Sequence, residues 1–263
     1  MLNPFKKTDK EQEELKTAIM NYLNCPCRYF PPMDNDKELM TAYIEAAQRG
    51  KREGFVPVIV SCDDILWESL ILNTCEDADT GGDAYVFSEE AVAGYRENAL
   101  KQPLKSGKDV INEWMKLYHG SSDYDEGIIG EIDGGEKNDS FSGYSDHMSG
   151  MTLPVVMAEI PVKNPWEVFA YLPFGGWNEC PDTLQMMSVL KYWHEKYGAV
   201  PAVITHDVLE VTVPEPVSDK QEALSLAIEQ CNFCSDIVFQ GVETIGALAD
   251  ILTKSRVWYF WWD

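Results

Sequence analysis

No apolar run in the 263-residue chain approaches the ~18–20 residues of a membrane span, so no α-helical passage through a bilayer is expected. Positive charge is scarce: 21 Lys and Arg stand against 44 Asp and Glu, for a formal net charge of −23. Such a surface repels phosphate backbones and anionic lipid, which argues against nucleic-acid and membrane partners and favours a basic protein or small-ligand partner. Also missing are a phosphate-cradling glycine loop, a Gly-x-Ser-x-Gly elbow and a paired Cys/His nucleophile. The seven cysteines are odd in number and scattered, so they do not read as a disulfide framework. No apolar stretch follows the basic N-terminal residues, so no secretory signal is expected and a reducing cytoplasm is the expected compartment.

What is present is a core. Apolar residues make up 45% of the chain and eight are tryptophan, which excludes a disordered protein. The closing residues VWYFWWD read as a strand with no polar face. Trp258, Phe260 and Trp262 should point to one side and Tyr259 and Trp261 to the other. A strand apolar on both faces is expected in the middle of a covered sheet. The fold class expected is therefore α/β or α+β, with a mixed sheet covered by helices and the aromatic strand in the sheet interior.

Periodicity places helices at Thr8–Leu23, Asp36–Lys51, Glu89–Leu100, Val110–Tyr118, Thr183–Tyr197, Asp219–Gln230 and Glu243–Leu252. Strands are expected at Val56–Val60, Val155–Ile160, Val168–Tyr171, Val200–Thr205, Leu209–Val213 and Ile237–Gln240. Gly54 should stop the second helix, and Asp63 or Asp64 should cap a short one carrying Leu66, Trp67 and Leu70. Between 119 and 150 the chain turns acidic and glycine-rich, with Lys137 its only basic residue. That stretch is expected to be an exposed loop or linker between an N-terminal lobe (1–118) and a C-terminal domain (151–263).

The sequence contains one internal echo. Gly54-Phe55-Val56-Pro57-Val58-Ile59-Val60, with Asp63 behind it, matches Gly198-Ala199-Val200-Pro201-Ala202-Val203-Ile204, with Asp207 behind it. Glycine permits the left-handed residue that ends a helix, and proline suits the start of a strand, so a shared helix-to-strand junction is the expected cause.

In the C-terminal half, Gly176-Trp177, Leu190-x-x-Trp193, Lys196-Tyr197-Gly198-Ala199, Asp207-x-Leu209-Glu210, Pro214-x-Pro216, Phe233-Cys234-x-Asp236, Gln240-Gly241 and the closing Trp258-x-Phe260-Trp261-Trp262-Asp263 resemble the bacterial family labelled domain of unknown function 4253. The resemblance covers roughly residues 165–263. It implies a domain boundary but no activity, and relatives place an acidic residue where this chain has His194.

Four constellations could carry chemistry. His194, His206, Asp207 and Glu210 have the side chains of a metal set but match no metal-motif spacing. Turn formation at His206-Asp207 is the expected reading, with no metal and no cofactor. Cys231-x-x-Cys234 and Cys25-Pro26-Cys27 have thiolate spacing but lack matching second pairs, and small buried cysteines are expected. Asp123-x-Asp125 fails the EF-hand pattern at its sixth and twelfth positions, Ile128 and Gly134. The loop Pro173–Pro181 is the best candidate site: Gly175 and Gly176 allow close approach, while Trp177 and Asn178 offer an aromatic face and an amide. Its alternative is a tight connection with Trp177 in the core and Asn178 bonded to backbone. The function expected is a non-enzymatic binding or interaction protein, one version being an immunity protein that meets a basic toxin. The alternative is a small hydrolase or transferase with a pocket around Trp177, Asn178, His194 and Asp207.

Overall fold

The computed structural model describes residues 8–75, 86–119, 126–146 and 148–263. The first helix, α1 (Asp9–Leu23), starts at a reciprocal cap: Thr8 accepts from the Glu11 N–H, and the Glu11 carboxylate accepts from the Thr8 N–H at 2.8 Å. After β1 (Cys27–Phe30), α2 (Lys37–Glu53) ends at Gly54, whose φ of 81° is the left-handed conformation a side chain resists. β2 (Val56–Ser61) is buried throughout. Asp63 then caps α3 (Asp64–Thr74) by accepting from the Leu66 N–H at 2.7 Å. α4 (Glu89–Lys101), α5 (Gly107–His119) and the single turn α6 (Glu126–Ile129) precede β3 (Val155–Ile160). α7 (Thr183–Tyr197) ends at Gly198, φ 72°, and leads into β4 (Val200–Ile204) and β5 (Val208–Thr212). α8 (Lys220–Phe233), α9 (Ile245–Leu252) and β6 (Val257–Trp261) complete the chain.

The strands form one mixed sheet in the order β1-β3-β2-β4-β5-β6. Strands from before and after the acidic stretch therefore alternate, with β2 lying between β3 and β4. Every pairing is antiparallel except β2 with β4. One face carries the larger core, where Leu15, Val58, Leu190, Leu226 and Phe260 are all buried in a single cluster. The other face packs against α2 and the segment around Phe141 and Tyr144, with Leu39, Tyr43, Ile59 and Val203 in a second cluster.

The terminal strand lies in the sheet, and its alternation is as the sequence implies. Trp258, Phe260 and Trp262 are buried, whereas Tyr259 is 37% exposed. Its place in the order is last rather than central: among the described residues β6 pairs with β5 alone. Aromatic packing on one face accounts for the inward residues. Phe260 lies 5.0 Å from Phe233 and 5.7 Å from Trp193, centroid to centroid.

Two expected strands are helical turns. Val168–Tyr171 falls largely within a 3-10 helix, Pro165–Ala170, because Pro165 occupies its first turn and Asn164 and Glu167 form a capping box. Ile237–Gln240 falls within a wide turn, Ile237–Val242. There the Ser235 carbonyl accepts from the Val238 and Phe239 N–H groups, and the Asp236 carboxylate accepts from the Gln240 amide and the Asp263 N–H. Local bonds satisfy that backbone, so β-branched side chains there do not make a ladder. Of the acidic stretch, residues 120–125 and 147 lie outside the described residues, and with them the Asp123-x-Asp125 pair.

Candidate functional site

The internal echo is a spatial pairing. β2 and β4 are parallel neighbours with Ile59 opposite Val203 and Val60 opposite Ile204, the same offset that aligns Gly54 with Gly198 and Asp63 with Asp207. Matched residues therefore stand side by side, and the two junctions define two ends of one parallel pair.

At the carboxyl ends, the two copies repeat a hydroxyl-to-carboxylate contact. Ser61 Oγ donates to Asp63 Oδ2, and two residues before Asp207, Thr205 Oγ1 donates to Asp207 Oδ1 at 2.9 Å. His206 lies between the carboxylates: Nδ1 is 3.4 Å from Asp63 Oδ1, and Nε2 is 3.5 Å from Asp207 Oδ2. The Nδ1 contact is within ion-pair reach but not aligned as a hydrogen bond. The Asp63 carboxylate raises the His206 pKa above its ordinary value, against burial that lowers it. Burial alone would raise Asp63, but His206, Ser61 and the Leu66 N–H outweigh it and hold the carboxyl below its usual value. Asp207 is tied further by the Trp261 indole N–H at 3.1 Å. Carboxyl ends of parallel strands are where open sheets place ligands.

At the amino ends lies a pocket of ≈ 590 Å³, within the range of small-molecule sites. Its apolar lining includes Tyr43, Phe55, Val56, Val162, Val200 and Val213, and both junction glycines, Gly54 and Gly198, border it. Among the described residues the ionisable groups on its wall other than Tyr43 are Lys51, Lys163 and His194. His194 Nδ1 lies 2.9 Å from the Ala199 carbonyl. A carbonyl can only accept, so Nδ1 carries the proton and Nε2 is the ring's remaining polar atom.

The expected site residues thus divide. The Gly175–Asn178 loop is near Asp207: Asn178 Nδ2 donates to the Asp263 carbonyl at 3.1 Å, while the Trp262 N–H donates to the Asp207 carbonyl at 3.1 Å. Within the loop, Trp177 Nε1 donates to the Phe174 carbonyl, and the Gly176 N–H donates to the Cys180 carbonyl. A Cβ on Gly175 would come within 2.1 Å of the Pro181 carbonyl oxygen, so the close approach there is between two parts of the loop itself. The Asn73 amide ties the loop to α3 by donating to the Pro173 and Gly175 carbonyls. His194 stands at the other end of β4, whose five residues span roughly 16 Å. Glu210 is fully buried on the opposite sheet face from the large core. Its oxygens accept from the Ser142 N–H at 2.9 Å and the Gly143 N–H at 3.1 Å. Burial pushes its pKa up to about 7 despite those donors.

Among the cysteines, Cys25 and Cys27 sulfurs are 4.0 Å apart. Cys231 and Cys234 are buried, and Cys234 Sγ donates to the Trp261 carbonyl at 2.9 Å. Among the described residues, no three His, Cys, Asp or Glu side chains are grouped so as to hold a metal ion. Lys51 and Lys163 were not singled out by sequence reasoning, and Tyr43 only as an inward residue of the second helix. The signal that could have found the pocket was the glycine echo, which marks both of its rims.

Among the described residues these features define an α+β protein on a six-stranded mixed sheet whose one parallel pair carries a pocket at one end and a carboxylate–imidazole bridge at the other. Residues 156–263, from β3 to the end of the chain, match the family described as Domain of unknown function (DUF4253). No match is found among curated proteins or among solved structures. Among the described residues no helix is long and apolar enough to cross a membrane.

Proposed function

We propose that the protein is a non-enzymatic binding protein that holds a small ligand in the pocket at the amino ends of β2 and β4. The observation that carries this reading is the pocket itself: ≈ 590 Å³, mostly apolar, with three nitrogen-bearing side chains at its wall. An apolar cavity with a few convergent polar groups is the usual form of a small-molecule site. Filling it should abolish function and spare the fold. In a thermal-shift screen of a metabolite library, a compound that stabilises the wild type should fail to stabilise Ala47→Trp, whose indole would enter the pocket. Equal stabilisation of both proteins, or none of either, would count against the pocket.

A second reading is a basic protein partner, a toxin met by its immunity protein being one form. It is supported by the charge of −23 and by the partly exposed Asp63 and Asp207 side chains. Binding of a lysine-rich peptide that weakens in Asp207→Asn would support it, and binding indifferent to that change would remove it. A small hydrolase or transferase using Trp177, Asn178, His194 and Asp207 has less support, since His194 and Asp207 occupy opposite ends of β4.

A further inference from the structure

The pocket has a charge opposite to that of the protein around it. Carboxylates outnumber basic side chains more than two to one in the chain. Yet among the described residues no Asp or Glu lines this cavity, whereas Lys51 and Lys163 both do.

The surrounding charges sharpen the contrast. Arg49, two residues before Lys51, is neutralised: its guanidinium pairs with Glu159 and Glu53 and lies over the Phe55 ring. Glu159 is thereby turned to Arg49. Glu167, the carboxylate next to Lys163 in the fold, accepts from the Lys163 and Asn164 N–H groups and the Asn164 amide. Glu195, beside His194, pairs with Lys191. The neighbouring carboxylates are thus occupied, and among the described residues neither the Lys51 nor the Lys163 ammonium is in an ion pair. Both lysines are exposed at the rim of the cavity, and two cations without counter-ions there favour an anion, through a field that water and salt partly screen.

We infer that the pocket takes a small organic carboxylate with a flat apolar body, the body packed on Phe55, Val56, Val162 and Val213 and the carboxylate turned to Lys51 and Lys163. His194 Nε2 adds a third polar contact. An inorganic anion would satisfy the lysines but leave the apolar wall uncovered, and a cation would meet repulsion. This assignment rests on the reading of the pocket as the ligand site and adds the class of ligand.

The test uses three isosteric probes, 2-naphthoate, 2-naphthamide and 2-naphthylmethylamine, with inorganic phosphate as a fourth. Binding to the full chain is followed by backbone-amide chemical shifts. Naphthoate should shift resonances of Gly54, Val162 and Gly198 and bind at least about fivefold tighter than the amide, which is the scale of one charge-assisted contact. Lys51→Ala and Lys163→Ala should each weaken naphthoate by a similar factor and leave the amide unchanged. The double charge reversal Lys51→Glu/Lys163→Glu should prefer the amine. Should the amide or amine match naphthoate at the same resonances, or phosphate alone bind as well, the ligand class is wrong while the pocket stands. If no probe shifts a pocket resonance, the pocket reading falls with it.

Discussion

Asp63 and Asp207 occupy equivalent places just past the carboxyl ends of the neighbouring parallel strands β2 and β4 and flank one imidazole ring, that of His206, at 3.4 and 3.5 Å. Each carboxylate also takes a hydroxyl from the residue two positions earlier, Ser61 or Thr205. The bridge therefore ties β2 to β4 where their parallel pairing ends.

This bridge sets a pH dependence. The His206 pKa is raised by Asp63, so the stability it contributes is complete below its unfolded value of 6.5 and is lost as pH rises through the folded value. Asp63 is shifted down, so its contribution is present above 3.8 and disappears as pH falls through its folded value. His206→Ala should consequently cost more stability at pH 5.5 than at pH 8.5 in denaturant titrations. Equal costs at the two pH values would show that the ring contributes no ion pair. Proton NMR of the ring should place its midpoint above 6.5.

Glu210 works in the opposite sense. Its folded pKa of about 7 exceeds the ordinary 4.5, so the native state retains a proton that the unfolded chain has released. Stability must fall as pH rises between those values, by about 3 kcal/mol in all. Glu210→Gln removes the titration. Its amide keeps one acceptor oxygen in place of two, so either the Ser142 or the Gly143 N–H loses its partner, which costs about 1–2 kcal/mol at any pH. Between pH 5 and pH 8 the wild type should lose more stability than the variant. Parallel curves would mean the carboxylate is solvated by motion of the 141–144 segment.

The closing strand separates core from surface within adjacent residues. Phe260 is fully buried against Phe233 and Trp193, and Phe260→Ala should cost about 3–5 kcal/mol. Tyr259→Ala, on the exposed face, should cost less than about 1 kcal/mol. Truncation after Val257 should leave insoluble or molten protein. A truncated chain that unfolds cooperatively would place the aromatics outside the core.

The loop residue Asn178 has φ 46°, a left-handed conformation, and its amide reaches the Asp263 carbonyl. Asn178→Gly keeps the backbone conformation at low cost, whereas Asn178→Ala should lose about 1 kcal/mol from strain. Equal melting temperatures for the two variants would show that the backbone conformation does not matter. Unchanged stability in Asn178→Ala combined with lost ligand binding would return the loop to candidacy as a site.

Much of this was legible in the sequence. Period-two alternation placed Trp258, Phe260 and Trp262 inward, and Thr8, Asp63, Gly54 and Gly198 marked the helix ends as local chemistry requires. The strand order was not: a strand apolar on both faces points to the middle of a sheet, yet such apolarity says nothing about which strand lies beside it, and β6 stands last in the order. Residues 168–171 and 237–240 carry β-forming side chains, but Pro165 with its capping box and the bonds around Asp236 decided those segments locally. The candidate set was split for a geometric reason: His194 and Asp207 are close in sequence, yet β4 runs between them. The glycine echo held the better clue, since its two copies turned out to be strand neighbours bordering the pocket.

Whether the amino ends of β2 and β4 form a ligand site can be seen directly in a crystal structure of the protein with 2-naphthoate. Ring density is expected against Phe55 and Val213, with the carboxylate within ion-pair distance of Lys51 or Lys163. Naphthoate ordered elsewhere, such as beside Trp177, with this pocket filled only by water, would contradict it.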